Sequence, residues 1–421
     1  MNDLSYWAAT SSRQKSYADT PLPDSVDVAI IGGGYTGLSA ALHLAQAGAK
    51  AAVLEHEHLG WGASSRNGGM VLPGYKAGLD TLIKRYGMER TRRLHDFTLE
   101  AIALVKSLIA DHQIECELEE TGYIYAAYKP AHYGWLADHQ RDLEHAFNHP
   151  TRVIPRERQR EELGSDYFHG LLVDDSAAGL HPAKYVNGLA QAADRAGASL
   201  HENAPVTRVK RAGDRFEVTT ARGQLSAKDV IVATNGYTGG VIPWLQRRVV
   251  PVGSYIIVTE PLDAEIAHRL IPHRRMVFDT KSMLYYWRVL QDNRVMFGGR
   301  ASFVPTSQQR YAEILRRGMV DIYPELANTK VEYAWGGKLG FTVDLMPHTG
   351  RHDGVFYSVG YGGHGVAFAT YMGKRLAERV AGKDSSLPLE DLAFWPVPLY
   401  QGFPWFLPFA GWYYELKDRM S

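Results

Sequence analysis

Cysteine is almost absent from this sequence, since Cys116 is the only one among 421 residues. A single cysteine cannot form an internal disulfide or a CxxC redox pair, which favours a reducing compartment. An excess of charge of one sign is also missing, because 46 Lys and Arg residues balance 46 Asp and Glu residues. This balance gives no electrostatic reason to expect nucleic acid or an anionic membrane as a partner.

Long hydrophobic runs are absent as well. No apolar run reaches the length of a membrane span, and the opening MNDLSYWAATSSRQKS lacks the charged and apolar regions of a signal peptide. We therefore expect a cytoplasmic protein. The sequence also has no internal repeat and no low-complexity tract. The chain is too long for one ordinary hydrophobic core, which favours two domains.

One unit stands out near the start, at residues 28–55: an apolar strand, GGGYTG, a helix, a second strand and an acidic residue. Gly32 allows a tight turn, Gly34 lets the backbone approach a pyrophosphate, and Gly37 lets the helix lie close to the sheet. The helix N-terminus offers free N–H groups to phosphates, and Glu55 can accept hydrogen bonds from ribose hydroxyls. The predicted cofactor contacts of this unit are Gly32, Gly34, Tyr35, Thr36, Gly37 and Glu55. The unit predicts an ADP-containing cofactor and leaves open whether it is NAD or FAD.

The same alternation of predicted strands and helices occurs twice further along the chain, at residues 178–238 and 354–382. Residues 249–335 are instead rich in β-branched and aromatic residues, which is typical of a mostly antiparallel sheet. The sequence therefore predicts an α/β protein with a discontinuous Rossmann-like domain and an inserted α+β substrate domain. The predicted nucleotide domain comprises 24–116, 169–243 and 336–385, the substrate domain 117–168 and 244–335, and a C-terminal aromatic tail packed on the body 386–421.

Four stretches carry a resemblance to a known family: SYWAAT before the first unit, GWGASSRNGG at 60–69, VATNGYT at 232–238 and GYGGHGV at 360–366. With these stretches, in this order, the chain resembles the FAD-dependent amine and amino-acid oxidases of the D-amino-acid oxidase, glycine oxidase and sarcosine oxidase fold. It is most similar to the gamma-glutamylputrescine oxidase branch. The resemblance implies FAD as the cofactor.

The resemblance also implies where FAD is held. The loop after the second strand contacts the pyrophosphate and the flavin edge, and the glycine turn before the last helix lies against the pyrimidine side of the ring. The contacts implied in this way are Ala63, Ser64, Arg66, Asn67, Gly68, Val206, Thr234, Gly362, Gly363, His364, Gly365 and Val366. Two of them have alternative interpretations, because Arg66 could be a solvated loop charge and His364 could cap the helix that follows.

Several positions depart from the family pattern. Ser65 and Met70 stand where the branch often has glycine and glutamine, and Ala367 replaces the lysine that binds the substrate carboxylate in sarcosine oxidases. A simple N-methyl amino acid is therefore a less probable substrate. No cysteine lies near residues 331–365, where sarcosine oxidases attach their flavin, so we expect non-covalent FAD. No metal ion is expected.

The implied activity is oxidation of a C–N bond in a primary or secondary amine, either gamma-glutamylputrescine-like or derived from an amino acid. Hydride passes to flavin N5, the imine hydrolyses, and oxygen reoxidises the flavin to give hydrogen peroxide. The strands LYYWRVLQDNRVMFGGR contain no lysine to promote oxygen reduction. This absence motivates an alternative, a dehydrogenase that passes electrons to a quinone or carrier. An NAD-dependent dehydrogenase and a flavin-bound structural module are further alternatives. The oligomeric state stays open.

The candidate catalytic residues are His364, Tyr286, Trp335 and Arg300. Strand alternation places Tyr286 on the opposite face from its two neighbours, and aromatic side chains attract amines through cation–π interactions. Core packing is the alternative role for each aromatic residue. Arg300 or Arg288 could pair with a substrate carboxylate or face solvent.

Overall fold

The protein is described by a computed structural model that covers residues 4–299, 306–383 and 386–420. Its helices are α1 (Tyr6–Ala9), α2 (Tyr35–Gln46), α3 (Leu79–Asp111), α4 (Pro130–Phe147), α5 (Pro182–Arg195), α6 (Pro243–Gln246), α7 (Ala264–Leu270), α8 (Gln308–Ile322), α9 (Gly365–Val380) and α10 (Leu407–Met420). Its strands are β1 (Ser25–Ile31), β2 (Ala51–Leu54), β3 (Met70–Val71), β4 (Tyr123–Ala126), β5 (Arg152–Ile154), β6 (Leu171–Asp174), β7 (Ala178–Gly179), β8 (Ser199–His201), β9 (Val206–Ala212), β10 (Arg215–Thr220), β11 (Gly223–Val232), β12 (Val250–Thr259), β13 (Met276–Asp279), β14 (Tyr285–Val289), β15 (Val295–Gly299), β16 (Val331–Phe341), β17 (His348–His352) and β18 (Val355–Val359).

The first sheet has a parallel centre in the order β18–β11–β1–β2–β8, as expected for a nucleotide-binding α/β domain. Side chains of β1 alternate between two cores: Val28 and Ile30 face one side of the sheet, Ala29 and Ile31 the other. The predicted α/β class is confirmed. The strand β11 is continuous: its first residues pair with β10, and residues 226–232 pair with β1.

Helices cover one face of this sheet. Helix α2 packs against α5 and α9, and α3 packs against α9. Helix α3 has a break at Gly87, where φ is 77°. Glycine tolerates this positive φ without steric cost. The break changes the direction of the helix, and residues before and after it line the same cavity, as described below.

The second sheet runs in the order β16–β12–β15–β14–β13–β4–β6–β5 and is antiparallel except between β13 and β4. One face packs on α8 through Trp287, Phe297 and Leu315. The other face carries Tyr286 and Trp335. The predicted alternation of Tyr286 relative to its neighbours is thus observed.

Two strands near the predicted domain boundaries belong to the second sheet. β6 pairs with β4, and β16 pairs with β12 along its length, so both belong to the second sheet. The boundaries predicted at 169 and 336 therefore fall before or within strands of that sheet. The physical reason is that partners distant in sequence decide which sheet a strand joins. The division into two domains stays a prediction.

The C-terminal segment contacts the body at both of its ends. Tyr400 and Leu407 pack beside Val250 and Phe341, and the Asp418 carboxylate accepts hydrogen bonds from the backbone of residues 282 and 283. Large apolar side chains of this segment are exposed, namely Trp395, Leu399, Phe403, Trp405, Phe409, Trp412, Tyr413 and Leu416. Within the described residues, no helix combines the length and the apolar character that crossing a bilayer requires.

Candidate functional site

A cleft of ≈ 490 Å³ lies at the carboxyl ends of β1, β2 and β11. This is the edge at which open parallel sheets bind nucleotides. The predicted contacts that line it are Gly32, Gly34, Tyr35, Thr36, Glu55, Ala63, Ser64, Asn67, Val206, Thr234, Gly363, Gly365 and Val366. The structure thus brings together residues from five separate stretches of the sequence.

The glycine turn between β1 and α2 has the geometry of a phosphate-binding turn. Gly32 has φ 109°, which favours glycine, and a side chain there would lie 2.9 Å from the Ala233 carbonyl oxygen. A side chain at Gly37 would overlap the Gly32 carbonyl oxygen, so glycine lets α2 approach the strand. Gly37 itself does not line the cleft, and its role is to allow this close packing. The N-terminus of α2 therefore points at the cleft, where its partial positive charge favours an anion.

Glu55 follows β2 at the edge of the cleft. Its Oε2 accepts a hydrogen bond of 2.6 Å from Gly33 N, and its Oε1 accepts one of 3.0 Å from Glu57 N. These bonds orient the carboxylate, and each oxygen keeps a further lone pair. The carboxylate can accept hydrogen bonds from ribose hydroxyls in this position.

The loop at residues 60–69 is held by a dense set of hydrogen bonds. The Asn67 side-chain amide donates to Ala63 O at 2.9 Å, and its carbonyl accepts from Gly69 N at 2.7 Å. Arg66 Nε donates to Trp61 O at 2.9 Å, and its guanidinium lies 5.0 Å from the Trp61 ring centre. Arg66 is thereby a fixed part of the loop, not a solvated charge.

Two tryptophans support this loop from below. Trp7 donates to Asn67 O at 2.8 Å, and Trp335 donates to Arg66 O at 3.0 Å. Both indoles are buried, and their rings meet edge to face at 6.2 Å. The SYWAAT stretch therefore has a definite place in the structure, since its tryptophan packs beneath the loop.

The second glycine turn connects β18 to α9. Gly362 and Gly363 have φ of 58° and 107°, and Gly362 N donates to Gly340 O at 3.0 Å. His364 occupies the N-cap position of α9, but its side chain makes no capping hydrogen bond. Burial, with a smaller contribution from Lys76, lowers the pKa of His364 to about 4. His364 is therefore neutral near pH 7.

A second cavity of ≈ 310 Å³ continues from the cleft. The residues that line both spaces are Ala63, Asn67, Leu339, Gly363 and Val366. Aromatic walls come from both sides, with Tyr286 and Phe278 on the second sheet and Trp135 on α4. Three cations, Arg66, Lys76 and Lys338, also line it. The arrangement is a nucleotide cleft that opens into an aromatic cavity.

The predicted catalytic residues divide into three groups. Tyr286 and His364 line the cavity, and Tyr286 OH lies 3.1 Å from Ser254 Oγ. Trp335 lies outside the lining of both spaces, because its ring packs in the core and its N–H bonds Arg66 O. Its predicted contact with substrate is therefore replaced by a supporting position under the loop. Arg300 lies outside the described residues.

Arg288, the alternative partner for a carboxylate, is enclosed in the interior. It donates to Leu180 O at 2.8 Å, and burial lowers the pKa of its guanidinium to about 10. It does not line either space. A substrate carboxylate in the cavity has no access to it.

Sequence reasoning missed several cavity residues. Lys76 lies within the glycine-rich stretch at 58–78, and that composition is typical of a binding loop, so a signal for it existed. Lys338, His95, His139 and Asp174 also line the cavity. They lie in helices and strands that carry no recognisable motif, and only the fold brings them together.

The cleft and its junction with the cavity each fit a different part of FAD. The cleft suits an ADP moiety, because two close-packed glycines, a helix N-terminus and a carboxylate meet there. The junction at Gly363 and Val366 offers the N-terminus of α9 to a flavin ring, and the aromatic cavity follows directly. Cys116 is buried and lines neither space.

Comparison with known proteins places the chain among flavoenzymes. The model of the DAO family, described as FAD dependent oxidoreductase, matches residues 27–379. The chain is 33% identical to gamma-glutamylputrescine oxidoreductase of Escherichia coli, covering 99% of this chain and 98% of that protein. It is 34% identical to the probable oxidoreductase OrdL of Haemophilus influenzae, covering 90% and 88%. Glycine oxidase from Geobacillus kaustophilus shares the fold, with a TM-score of 0.75 at 21% identity over 89% of this chain and 99% of that one.

Proposed function

Because the chain belongs to the DAO family of FAD-dependent oxidoreductases, we propose that it oxidises a C–N bond of a primary or secondary amine. The proposed substrate is gamma-glutamylputrescine or a similar amine, and the imine product hydrolyses to a carbonyl compound and ammonia or a smaller amine. FAD supplies the hydride acceptor, at N5 of its ring, and returns the electrons to oxygen as hydrogen peroxide. The observation that carries the proposal is the continuity of the nucleotide cleft with the aromatic cavity at Asn67 and Gly363.

The chain would hold FAD through three regions. The turn at Gly32 and the N-terminus of α2 would bind the pyrophosphate, and Glu55 would bind the ribose. The loop with Asn67 would contact the edge of the flavin. The N-terminus of α9 would favour negative charge on the pyrimidine side of the ring.

The cavity residues would prepare the amine. Lys76, Lys338 and Arg66 line the cavity, and neighbouring positive charge lowers the pKa of an amine, which favours its neutral form. A neutral nitrogen can donate its lone pair as hydride leaves the adjacent carbon. His364 adds no charge near pH 7, and its buried Nδ1, which has no hydrogen-bond partner among the described residues, is available to hydrogen-bond a ligand. Tyr286 and Phe278 exclude water from the reacting carbon.

We also propose that FAD is bound without a covalent link to cysteine, since Cys116 lies in the helical core away from both spaces. Acid precipitation of the holoenzyme should leave the flavin in the supernatant. Flavin that stays with the precipitated polypeptide contradicts this proposal.

The central experiment is anaerobic titration of the holoenzyme with amines, polyamine conjugates and amino acids while the visible flavin band is recorded. We expect gamma-glutamylputrescine to bleach the band, and admission of air to restore it with one hydrogen peroxide per turnover. A holoenzyme whose flavin no member of the panel reduces contradicts the proposal. Slow recovery in air together with fast recovery on adding a quinone identifies a carrier, not oxygen, as the acceptor.

A further inference from the structure

The cavity has a second polar pole at some distance from the glycine turn at residues 360–365. This pole is formed by His95 of α3, His139 of α4 and Asp174 of β6, all of which line the cavity. His95 is 7% exposed, and its Nε2 has no hydrogen-bond partner within the described part of the chain. The Nδ1 of His139 is likewise buried and unpaired among the described residues. Buried ring nitrogens normally have a hydrogen-bond partner. A ligand bound in the adjacent cavity would supply that partner.

The pole contains a buried carboxylate, that of Asp174. His149 Nε2 lies 2.7 Å from Asp174 Oδ2, and Ser176 N donates to Oδ1 at 2.8 Å. Burial opposes ionisation of Asp174, but the hydrogen bonds from His149 and Ser176 outweigh it and hold the pKa of this carboxyl below its usual value. Burial and the neighbouring His149 lower the pKa of His95 to about 4. His95 is therefore neutral near pH 7, and it does not cancel the carboxylate.

Aromatic rings complete the enclosure. Tyr125 lies between Phe278, at 4.6 Å, and Trp135, at 5.6 Å, and Trp135 stacks on His139 at 5.1 Å. Faces of aromatic rings attract cations, and an unprotonated imidazole nitrogen accepts a hydrogen bond from an ammonium group. A buried carboxylate, aromatic walls and two unpaired imidazole nitrogens together suit a cation.

We propose that this pole binds the remote protonated amino group of an elongated amine whose other end is oxidised beside the flavin. The inference rests on the proposed function, and it names a substrate class: amines with a second, cationic amino group separated from the reacting one. The reacting end would lie beside His364 and the remote ammonium beside Asp174.

The short stretch of chain from Lys76 to Asp80 limits the distance between the two ends of the cavity. Lys76 adjoins Gly362 at one end, since a side chain at Gly362 would lie 3.0 Å from Lys76 Cβ. Asp80 accepts a hydrogen bond of 3.2 Å from Trp135 at the other end. Four residues of extended chain span at most roughly 14 Å. Leu79 and Leu82 also line the cavity and would contact an aliphatic middle section.

The test compares two substrates that differ only in the remote amino group: gamma-glutamylputrescine and N-glutarylputrescine. The wild-type holoenzyme should show a kcat/KM at least roughly tenfold higher for the first, the effect of one charge-assisted interaction. Asp174→Asn and His139→Ala should bring this ratio close to one, mainly by lowering kcat/KM for gamma-glutamylputrescine. His145→Ala is the matched control, because His145 lies on the same helix and is exposed; its ratio should equal that of the wild type.

Asp174→Asn removes a buried charge and can therefore impair folding. Trp135→Leu serves as a second variant, because Trp135 is 36% exposed and its replacement disturbs the core less. A binding readout is independent of turnover: calorimetry with the unreactive gamma-glutamyl-n-butylamide and glutaryl-n-butylamide. The first should bind the holoenzyme roughly tenfold more tightly, and His139→Ala should remove the difference.

The outcomes separate the two proposals. Reduction of the flavin by both substrates with equal kcat/KM overturns the remote-ammonium site and leaves amine oxidation standing. The remote-ammonium site is also overturned if the ratio of kcat/KM for the two substrates stays at the wild-type value in His139→Ala and Trp135→Leu, as it should in the control His145→Ala. Failure of every amine to reduce the flavin contradicts the proposed function, and in that case the pair of butylamides still decides whether the pole binds an ammonium.

Discussion

At the scale of single residues, the hydrogen bonds that Trp7 and Trp335 donate to the loop at residues 60–69 lead to a prediction about cofactor affinity. Trp7→Phe removes the hydrogen bond to Asn67 O and leaves that buried carbonyl unpaired. An unpaired buried acceptor costs about 1–3 kcal/mol. Because the cost falls on the loop that we propose contacts FAD, we expect the dissociation constant of FAD to rise roughly tenfold, measured by titrating apoprotein.

The matched control is Trp287→Phe. Trp287 is also fully buried and donates one indole hydrogen bond, to Tyr323 OH at 3.1 Å, but it lies in the core under α8. This variant should lose stability and keep the FAD affinity of the wild type. Equal loss of FAD affinity in both variants would show that Trp7 acts through global stability and not through the loop.

His181 leads to a prediction about acid stability. Its ring is fully buried at the N-cap of α5, where Nδ1 accepts a hydrogen bond from Lys184 N and Nε2 lies 3.0 Å from Thr10 Oγ1. Burial, with smaller contributions from Lys184 and Arg288, lowers the pKa of His181 to about 3. The unfolded chain then binds a proton below pH about 6.5 that the folded protein does not, so folding stability falls as pH falls through this window.

His181→Asn keeps a capping side chain and removes this titration. Between pH 7.5 and pH 5, the wild type should lose about 2 kcal/mol more free energy of unfolding than the variant, measured by urea denaturation. The size of this loss is set by the difference between pH 5 and the pKa of the unfolded histidine, because the pKa of the folded histidine lies below both pH values. Parallel losses in the two proteins would show that His181 is protonated in the folded state.

At the scale of elements, the contact between α2 and α9 is closest at Gly373. A side chain there would overlap the Thr36 carbonyl oxygen and lie 2.7 Å from Ser39 Cβ. Gly373→Ala should therefore force the helices apart and cost about 2 kcal/mol of stability. It should also weaken FAD binding, because Thr36 belongs to the first turn of the helix that faces the pyrophosphate.

Gly134→Ala in α4 is the control for this substitution. No heavy atom lies within 4 Å of a side chain built at Gly134. Alanine should thus stabilise the protein by up to about 1 kcal/mol through helix propensity alone. Thermal unfolding of both variants checks the pair, and a stabilised Gly373→Ala variant would contradict the close packing of α2 on α9.

Elements with local signals were predicted well from the sequence. The strand and helix expected within residues 354–382 are observed as β18 (Val355–Val359) and α9 (Gly365–Val380), because an apolar run followed by a glycine turn determines them locally. Within the alternating stretch at residues 117–128, only Tyr123–Ala126 form a strand of the second sheet, β4, because only those residues pair with its other strands. The charged cavity residues Lys338 and Asp174 could not be predicted, because they come from separate strands that meet only in the folded chain.

At the scale of the whole molecule, the cleft and the cavity lie between two hydrophobic cores. Leu339 of β16 comes from the second sheet, whereas Ala63 and Gly363 come from segments next to the first, and all three line both spaces. A ligand that spans the junction contacts both cores. A ligand confined to the cleft end with Gly32 and Glu55 contacts mainly one of them.

This difference leads to a prediction that compares FAD with ADP. FAD at about one hundred times its dissociation constant should stabilise the protein by about 2.7 kcal/mol, and saturating ADP should also stabilise it, because both occupy the cleft. Hydrogen exchange separates them: FAD should slow exchange in β1 (Ser25–Ile31) and also in β14–β15 of the second sheet (residues 285–299), whereas ADP should slow it in β1 alone. The reason is that only FAD reaches the junction beyond Asn67. Equal protection of β14–β15 by the two ligands would show that the cores are already coupled without the flavin ring.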